Sequence, residues 1–199
     1  LEAMGGRALA VPTHLGEPDD LRALVDATVE RFGGVDIVVN NAATALAQMI
    51  EDITPEAWQK VFDVNLRGPV LLVQAALPHL RASEHGAVVN VVSVGAFLFS
   101  TYTSMYASAK AGLLQYTRSM AAELAPDGIR VNAIAPGTVD TDMVRANPPE
   151  AQERMANAAL LRRAAHPDEL VGPALLLASD AGSFITGQCL VVDGGLAPR

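Results

Sequence analysis

Residues 87–135 read AVVNVVSVGAFLFSTYTSMYASAKAGLLQYTRSMAAELAPDGIRVNAIA, and this stretch decides the fold. Residues 87–93 and 129–135 are apolar and rich in β-branched side chains, which predicts two buried strands. Between them, residues 103–124 carry apolar side chains at helical spacing, which predicts a helix. A strand, a helix and a second strand in this order are typical of parallel strands joined by a crossover helix. The sequence therefore predicts the α/β class.

The same alternation continues on both sides of this stretch. Strands are predicted at 7–12, 35–40 and 189–193, and helices at 18–32, 55–82 and 167–179. The strand at 35–40 is predicted to be buried. Helix 55–82 is predicted to be long or bent, with Thr54 as its N-cap. Residues 138–165 are polar and alanine-rich, which is typical of a mobile flap, and we predict a substrate lid there. We expect one domain over residues 1–199, built on a doubly wound parallel sheet.

Composition narrows the function further. The net charge is -8, from 14 basic and 22 acidic residues, so binding to nucleic acid or to anionic lipid is disfavoured. No apolar run reaches the ~18 to 20 residues that a bilayer crossing needs. Cys189 is the single cysteine, which excludes an internal disulfide and fits a reducing cytoplasm. We expect a soluble, cytoplasmic protein without a metal site or a membrane partner.

Tyr106 and Lys110 form the first candidate site. They are four residues apart on the predicted helix 103–124, so their side chains lie on one face, about 5 to 6 Å apart at Cβ. A nearby ammonium stabilises a phenolate, so Tyr106 could exchange protons near neutral pH. The alternative is a half-buried ring beside a solvated amine.

Three further polar positions support a site. Ser93 stands at the end of the predicted strand 87–93, and Asn40 and Asn41 stand at the end of the predicted strand 35–40. Open parallel sheets bind their ligands at the edge where their strands end. Asn65 lies inside an otherwise apolar helix, where its amide needs partners. Without further context, each of these positions could also be a structural turn or a structural hydrogen bond.

With these residues in place, the chain resembles the short-chain dehydrogenase/reductase family from its first residues to its last. The catalytic tetrad of that family is matched in order by Asn65, Ser93, Tyr106 and Lys110, in VFDVNLRG, VVNVVSVG and YASAK. Further matches are VNNAA at 39–43, IRVNAIAPG at 129–137, a threonine at 141, ITGQ at 185–188 and VDGG at 192–195.

The resemblance implies an oxidoreductase that moves a hydride between NAD or NADP and a carbonyl or secondary alcohol. Tyr106 would exchange a proton with the substrate oxygen, and Ser93 would hydrogen-bond that oxygen. Lys110 would lower the pKa of Tyr106 and hold the ribose, and Asn65 would position a water. It also implies a Rossmann-like sheet of order 3-2-1-4-5-6-7 and a homo-oligomer, a dimer or tetramer.

The resemblance further implies a set of cofactor contacts. They are His14, Leu15, Asn41, Ala42, Tyr106, Lys110, Pro136, Gly137, Val139 and Thr141. His14 stands where most members have an aspartate that contacts adenine, so an imidazole contact or a plain surface histidine is expected instead. The choice between NAD and NADP is not encoded in these residues.

A second departure from the family pattern is larger than the replacement at His14. The family's TGxxxGxG turn at a helix N-terminus has no counterpart in this sequence. Judged against a βαβ unit of about 30 residues, we expect on the order of 45 residues of the family pattern to be missing before the matched region. We hypothesise a fragment that lacks the first two strands and their helices, with an open sheet edge, whose active form needs that segment.

Alternative functions remain at this point. An enoyl-thioester reductase is the second enzymatic interpretation, although the thirteen residues from Ser93 to Tyr106 favour carbonyl chemistry. A non-enzymatic interpretation is a fragment that associates with full-length subunits. Four side chains precede the Tyr106 helix and indicate either an apolar substrate or internal packing, namely Phe97, Leu98, Phe99 and Tyr102.

Overall fold

The computed structural model describes residue 3 and residues 5–197, and its centre is a four-stranded sheet. The strands are β1 (Ile37–Asn40), β2 (Ala87–Val91), β3 (Arg130–Pro136) and β4 (Cys189–Val192). All neighbours are parallel and the order is β1-β2-β3-β4, with Val88 beside Val38 and Val131. The predicted α/β class with a parallel sheet is confirmed.

Seven helices connect and flank the strands in the described part of the chain. They are α1 (Pro18–Phe32), α2 (Pro55–Phe62), α3 (Gly68–Ala82), α4 (Ser104–Leu124), α5 (Asp142–Arg145), α6 (Pro149–Asn157) and α7 (Val171–Ala178). A short 3-10 turn, Pro167–Leu170, leads into α7, so the predicted helix at 167–179 has two parts. No helix in these described ranges combines the length and apolar character that a membrane crossing requires.

The predicted long helix is continuous but changes its winding in the middle. Thr54 caps it, because its side-chain oxygen accepts a hydrogen bond from the Ala57 amide at 3.2 Å. Between α2 and α3, Asp63–Arg67 forms a π-helix, which is rare and is often found at functional sites. Asn65 lies in this wider turn and is fully buried.

Helices cover both faces of the sheet. Val88 faces a core that includes Val73 of α3 and Met120 of α4, and α1 packs on the same side. The next residue, Val89, faces α7 and packs with Leu177. The alternation of β2 between these two cores makes the sheet doubly wound, as predicted.

The face of β1 on the α7 side is left uncovered. Ile37 and Val39 point to the same side as Val89, yet they are 43% and 49% exposed. The prediction that this strand is buried was therefore wrong for alternate residues, because α7 extends over the other strands and does not reach β1.

The predicted strand at residues 7–12 was wrong. A strand requires hydrogen bonds to a neighbour, and this segment pairs with none of the four strands. It is irregular and is attached to the end of α1 instead. There the guanidinium of Arg7 donates to the Arg31 carbonyl at 3.0 Å and lies 5.1 Å from the centre of the Phe32 ring.

A buried chain of side-chain hydrogen bonds ties β1 and β2 to α4. The Asn40 amide donates to Asn90 Oδ1 at 2.8 Å, and the Asn90 amide donates to the Thr117 hydroxyl at 2.9 Å. The hydroxyl in turn donates to the Leu113 carbonyl. All three side chains are buried, so the polar atoms depend on one another.

We expect replacement of Asn90 by leucine to lower the free energy of unfolding by about 2 to 3 kcal/mol, because the Asn40 amide would lose its main acceptor in a buried site. Urea denaturation measures the change. Gln115→Leu is the matched control at an exposed position of α4, and its effect should stay within about 0.5 kcal/mol. Equal losses from both variants would contradict a structural role of the buried chain.

Candidate active site

A cleft of about 800 Å³ opens at the carboxyl ends of β1, β2 and β3. This is the edge at which open parallel sheets bind ligands. The predicted site residues on its wall are Asn41, Ala42, Ser93, Tyr106, Lys110, Pro136, Gly137, Val139 and Thr141. Residues that are more than 90 positions apart in sequence thus meet in one cavity.

Ser93 and Tyr106 meet in this cleft. The Ser93 Oγ accepts a hydrogen bond from the Gly95 amide at 3.1 Å, which fixes the side chain and leaves its own proton free to donate. Burial raises the pKa of Tyr106, and the adjacent Ser93 hydroxyl opposes this by lowering it. At neutral pH the phenol is therefore protonated and is a proton donor.

Lys110 is buried, so the alternative of a solvated amine does not apply. Its side chain is 2% exposed, its Nζ donates to the Val91 carbonyl at 2.7 Å, and the same atom lies 5.7 Å from the centre of the Tyr106 ring. Burial lowers the pKa of Lys110 to about 8. The pKa of Tyr106 is raised overall, because burial outweighs the hydrogen bond from Ser93, and a lowering by Lys110 stays a prediction.

The lowered pKa of Lys110 predicts a pH dependence of stability. An unfolded lysine titrates near 10.4, so between pH 8 and 10 the unfolded chain binds more protons and stability rises with pH. Relative to Lys110→Met, the free energy of unfolding of the wild type should rise by about 2 kcal/mol from about pH 7.5 to about pH 9.5.

Chemical denaturation at several pH values measures this difference. The ordinary tyrosine pKa is near 10, so ionisation of Tyr106 does not enter this window. Lys60→Met, at an exposed lysine, is the control substitution. A wild-type stability that falls or stays level against Lys110→Met would show that the Lys110 ammonium is not desolvated.

Asn65 does not line the cleft. Its amide nitrogen donates to the Thr44 carbonyl at 2.7 Å and to the Val61 carbonyl at 2.8 Å, and its Oδ1 accepts from the Thr44 amide at 3.2 Å. Both amide protons are used, so this side chain cannot donate to a water. It fixes the loop that follows β1, the loop that begins with Asn41 and Ala42.

The floor of the cleft depends on a close backbone approach. A Cβ atom at Gly137 would lie 2.8 Å from Asp193 Cα, so only glycine fits at the end of β3. The Asp193 carboxylate accepts from the amides of Gly195 and Ala197 at 2.8 and 2.7 Å, which fixes the turn after β4. The VDGG motif at residues 192–195 thus packs against the Pro136-Gly137 turn.

The predicted lid, residues 138–165, is a loop closed at its base. Val139 and Ala165 form a parallel bridge, and the Asp140 amide donates to the Ala165 carbonyl at 2.9 Å. Thr141 precedes α5 and lines the cleft together with Met143. Arg145 forms ion pairs with Asp140 and Asp142, so the lid's charges near the cleft compensate one another.

His14 and Leu15 do not line the cleft. His14 instead borders a neighbouring groove between the turn before α1 and α2. Several apolar residues of the cleft wall were not predicted from the sequence, namely Val39, Leu170, Val171 and Ala174. The apolar spacing of 167–179 was a signal for helix packing, and it did not show that this helix also contributes to the cleft wall.

Comparison with known proteins agrees with this geometry. A family model described as "Enoyl-(Acyl carrier protein) reductase" matches residues 1–197. The chain is 39% identical to cis-4-hydroxycyclohexanecarboxylate dehydrogenase of Sinomonas cyclohexanicum, covering 98% of this chain and 79% of that protein. It is 34% identical to the 3-oxoacyl-[acyl-carrier-protein] reductase of Thermotoga maritima, with 98% and 79% covered.

A solved structure is also similar throughout the fold. It is a blue fluorescent protein from a metagenomic library, crystallised in complex with NADPH, with a TM-score of 0.93 and 31% identity over 99% of this chain and 79% of that one. The chain belongs to the short-chain dehydrogenase/reductase family. It is therefore an oxidoreductase of the NAD(P)-dependent type, as the sequence predicted.

Proposed function

We propose that this protein reduces a ketone or 3-oxoacyl carbonyl, or oxidises the corresponding secondary alcohol, in the cleft at the ends of β1 to β3. The observation that carries this proposal is the meeting of the Ser93 hydroxyl, the Tyr106 phenol and the Lys110 ammonium in one cavity. One acid and one hydrogen-bond donor, aimed at the same space, suit a carbonyl oxygen.

We also propose that the enzyme is cytoplasmic. Cys189 is the only cysteine of this sequence, which fits a reducing compartment.

The residues present fit a nicotinamide cofactor. A cleft of about 800 Å³ is within the range of cofactor sites, and small side chains at Ala42 and Gly137 leave its wall open to a flat ring. Asn41 and Ala42 would hold the adenosine-side ribose, with His14 and Leu15 nearer the adenine. Tyr106 and Lys110 would hold the other ribose, and the remaining contacts would be Pro136, Gly137, Val139 and Thr141. When bound, the cofactor supplies or accepts the hydride.

The proton chemistry follows from the protonation states. During reduction, the neutral Tyr106 phenol donates its proton to the substrate oxygen while Ser93 Oγ–H donates a hydrogen bond to the same oxygen. Lys110 is charged below its pKa of about 8, and it attracts the negative charge that develops on the phenol oxygen. During oxidation the same proton moves from the alcohol to Tyr106. Asn65 contributes by holding the Thr44 loop.

Exposed aromatic side chains follow Ser93 in the chain, which supports an apolar substrate. Phe97, Phe99 and Tyr102 are exposed between Ser93 and α4, so internal packing does not account for their rings. Leu98 is half-buried. We propose that these three rings and Met143 of the lid, residues 138–165, surround the substrate.

Enoyl-thioester reduction is the second candidate, and the description of the matching family model favours it. In that reaction a carbon-carbon double bond is reduced. The proximity of Ser93 to Tyr106 favours the carbonyl reaction, because two donors converge on one oxygen.

The proposal includes a homo-oligomer. Phe184 is fully exposed and Leu175 of α7 is 60% exposed, so both large apolar side chains are uncovered. Trp58 of α2, whose ring stacks on Phe62 at 4.4 Å between ring centres, and Tyr116 of α4 are also exposed. Native mass spectrometry of the chain tests this part, since a strictly monomeric protein would exclude it.

Fluorescence titration with NADH and NADPH tests the cofactor, and the nucleotide that binds more tightly is the preferred one. Turnover is then measured with an acetoacetyl thioester, a crotonyl thioester and cyclohexanone. The titration is made with this chain and with a form extended upstream through the glycine turn. Because the fragment hypothesis requires that segment, we expect saturable binding and reduction of a carbonyl substrate by the extended form, and saturable binding by this chain alone would contradict the hypothesis. Reduction of only the crotonyl thioester supports the enoyl candidate, and no nucleotide binding by either form favours the association interpretation.

A further inference from the structure

Arg67, at the last position of the π-helix, joins two distant parts of the chain. Its Nη2 donates to the Gly16 carbonyl at 2.9 Å, and its Nε lies 2.7 Å from Asp63 Oδ1. Gly16 belongs to the turn 14–17, which precedes α1 and follows the irregular segment 7–12. The guanidinium therefore ties this turn to the helix that carries Asn65.

The guanidinium is held more firmly than a typical surface arginine. Asp63 is only 16% exposed at its side chain, and the Gln59 amide donates to both of its carboxylate oxygens at 2.8 Å. Exposed ion pairs contribute little because both side chains move freely. Here the carboxylate is fixed from one side, so the direction of Arg67 toward Gly16 is fixed as well.

A backbone contact next to Arg67 supports the same turn. A Cβ atom at Gly68 would lie 2.3 Å from the Leu15 carbonyl oxygen, so the turn rests directly on the helix backbone. Within the turn, the Glu17 amide donates to the His14 carbonyl at 2.9 Å, and the Gly16 amide donates to His14 Nδ1 at 3.2 Å. The positions of His14 and Leu15 thus depend on this contact.

The π-helix holds a second loop through Asn65, whose side chain makes three hydrogen bonds, two of them to the backbone of Thr44. The five-residue π-helix therefore contacts both the turn 14–17 and the loop at Thr44. The proposed function places these two segments along the adenosine half of the cofactor. The wider turn of a π-helix points the side chains of Asn65 and Arg67 in other directions than a regular α-helix would. Such π-helical turns are frequent at functional sites.

We propose that Arg67 is a positioning residue that sets cofactor affinity by fixing the turn 14–17. This inference rests on the proposed function, because the adenine contacts of His14 and Leu15 are part of it. Arg67 itself lies outside the walls of the main cleft, and it acts through the Gly16 carbonyl.

The test is Arg67→Gln, measured by fluorescence titration with NADH and NADPH and by kcat with the best carbonyl substrate. Loss of one charge-assisted hydrogen bond should raise the Kd of the preferred nucleotide by about tenfold. We expect kcat at saturating cofactor to change by less than about twofold, since Ser93, Tyr106 and Lys110 are untouched. Arg67→Lys keeps the charge and should recover part of the affinity.

Arg22→Gln is the matched control, because Arg22 is an exposed arginine that pairs with Asp19 on α1 and does not contact the turn. Its Kd should equal that of the wild type. An unchanged Kd in Arg67→Gln, or a kcat that falls together with the melting temperature, would overturn the positioning role.

Amide hydrogen exchange separates this inference from the proposed function. In Arg67→Gln the amides of Gly16 and Glu17 should exchange about tenfold faster, whereas Arg22→Gln should leave them unchanged. If neither this chain nor its upstream-extended form binds a nucleotide, the proposed function fails. The exchange rates then still decide whether Arg67 fixes the turn, and unchanged rates would refute it.

Discussion

Tyr106→Phe should lower kcat/KM by about 10²- to 10⁴-fold, the usual contribution of a positioned acid or base. The phenylalanine ring fills the same space, so the variant loses only the hydroxyl that would donate its proton. The phenol is buried beside Ser93 and is protonated at neutral pH, so the variant lacks the proton donor of the proposed reduction. Steady-state kinetics with the preferred nucleotide measures the loss.

The control for this experiment is Tyr116→Phe, which removes a hydroxyl from an exposed ring on the same helix. Its kcat/KM should stay within about twofold of the wild-type value. Thermal unfolding should show that both variants are folded. A Tyr106→Phe enzyme that keeps more than a tenth of the wild-type activity would remove Tyr106 from the proposed mechanism.

Lys110→Met should have the second largest effect, with kcat/KM lowered by about 10²-fold or more. The substitution removes the ammonium that lies 5.7 Å from the Tyr106 ring and would hold a cofactor ribose. Both kcat and the Kd for the nucleotide should therefore change. This double effect distinguishes Lys110 from Tyr106, whose loss should act mainly on kcat.

The same substitution should stabilise the fold at neutral pH by about 1 to 2 kcal/mol. A buried ammonium costs free energy, and its removal outweighs the loss of the hydrogen bond to the Val91 carbonyl. Activity and stability would thus change in opposite directions, which is typical of a residue kept for function. A variant that is both less stable and less active would indicate that Lys110 mainly supports the structure.

Much of the fold was predictable because it depends on local periodicity. The bounds of α1 agree with the prediction, and those of β2, β3 and α4 agree within two residues, since apolar spacing, proline and glycine fix where these elements begin and end. Thr54 was likewise recognised as an N-cap from its place before proline. The alternation of strands and helices predicted parallel strands, and the order of the four strands followed from the resemblance to the family.

Other features depended on neighbours that a local pattern does not contain. Residues 7–12 have the composition of a strand, but no partner strand lies beside them. Val39 is an apolar residue in a strand predicted to be buried, yet α7 leaves it exposed. The π-helix at Asp63–Arg67 is invisible to helical periodicity, because it widens one turn without ending the helix.

The sequence by itself determined the class of this protein, and it predicted the reactive side chains and the edge of the sheet at which they meet. Those properties depend on residue type and spacing along one or two elements. Only the tertiary structure decided that Lys110 is desolvated, that Tyr106 stays protonated and that Asn65 is committed to Thr44. Burial and hydrogen-bond partners come from segments far apart in the chain, and the free energy of a charge depends on all of them together.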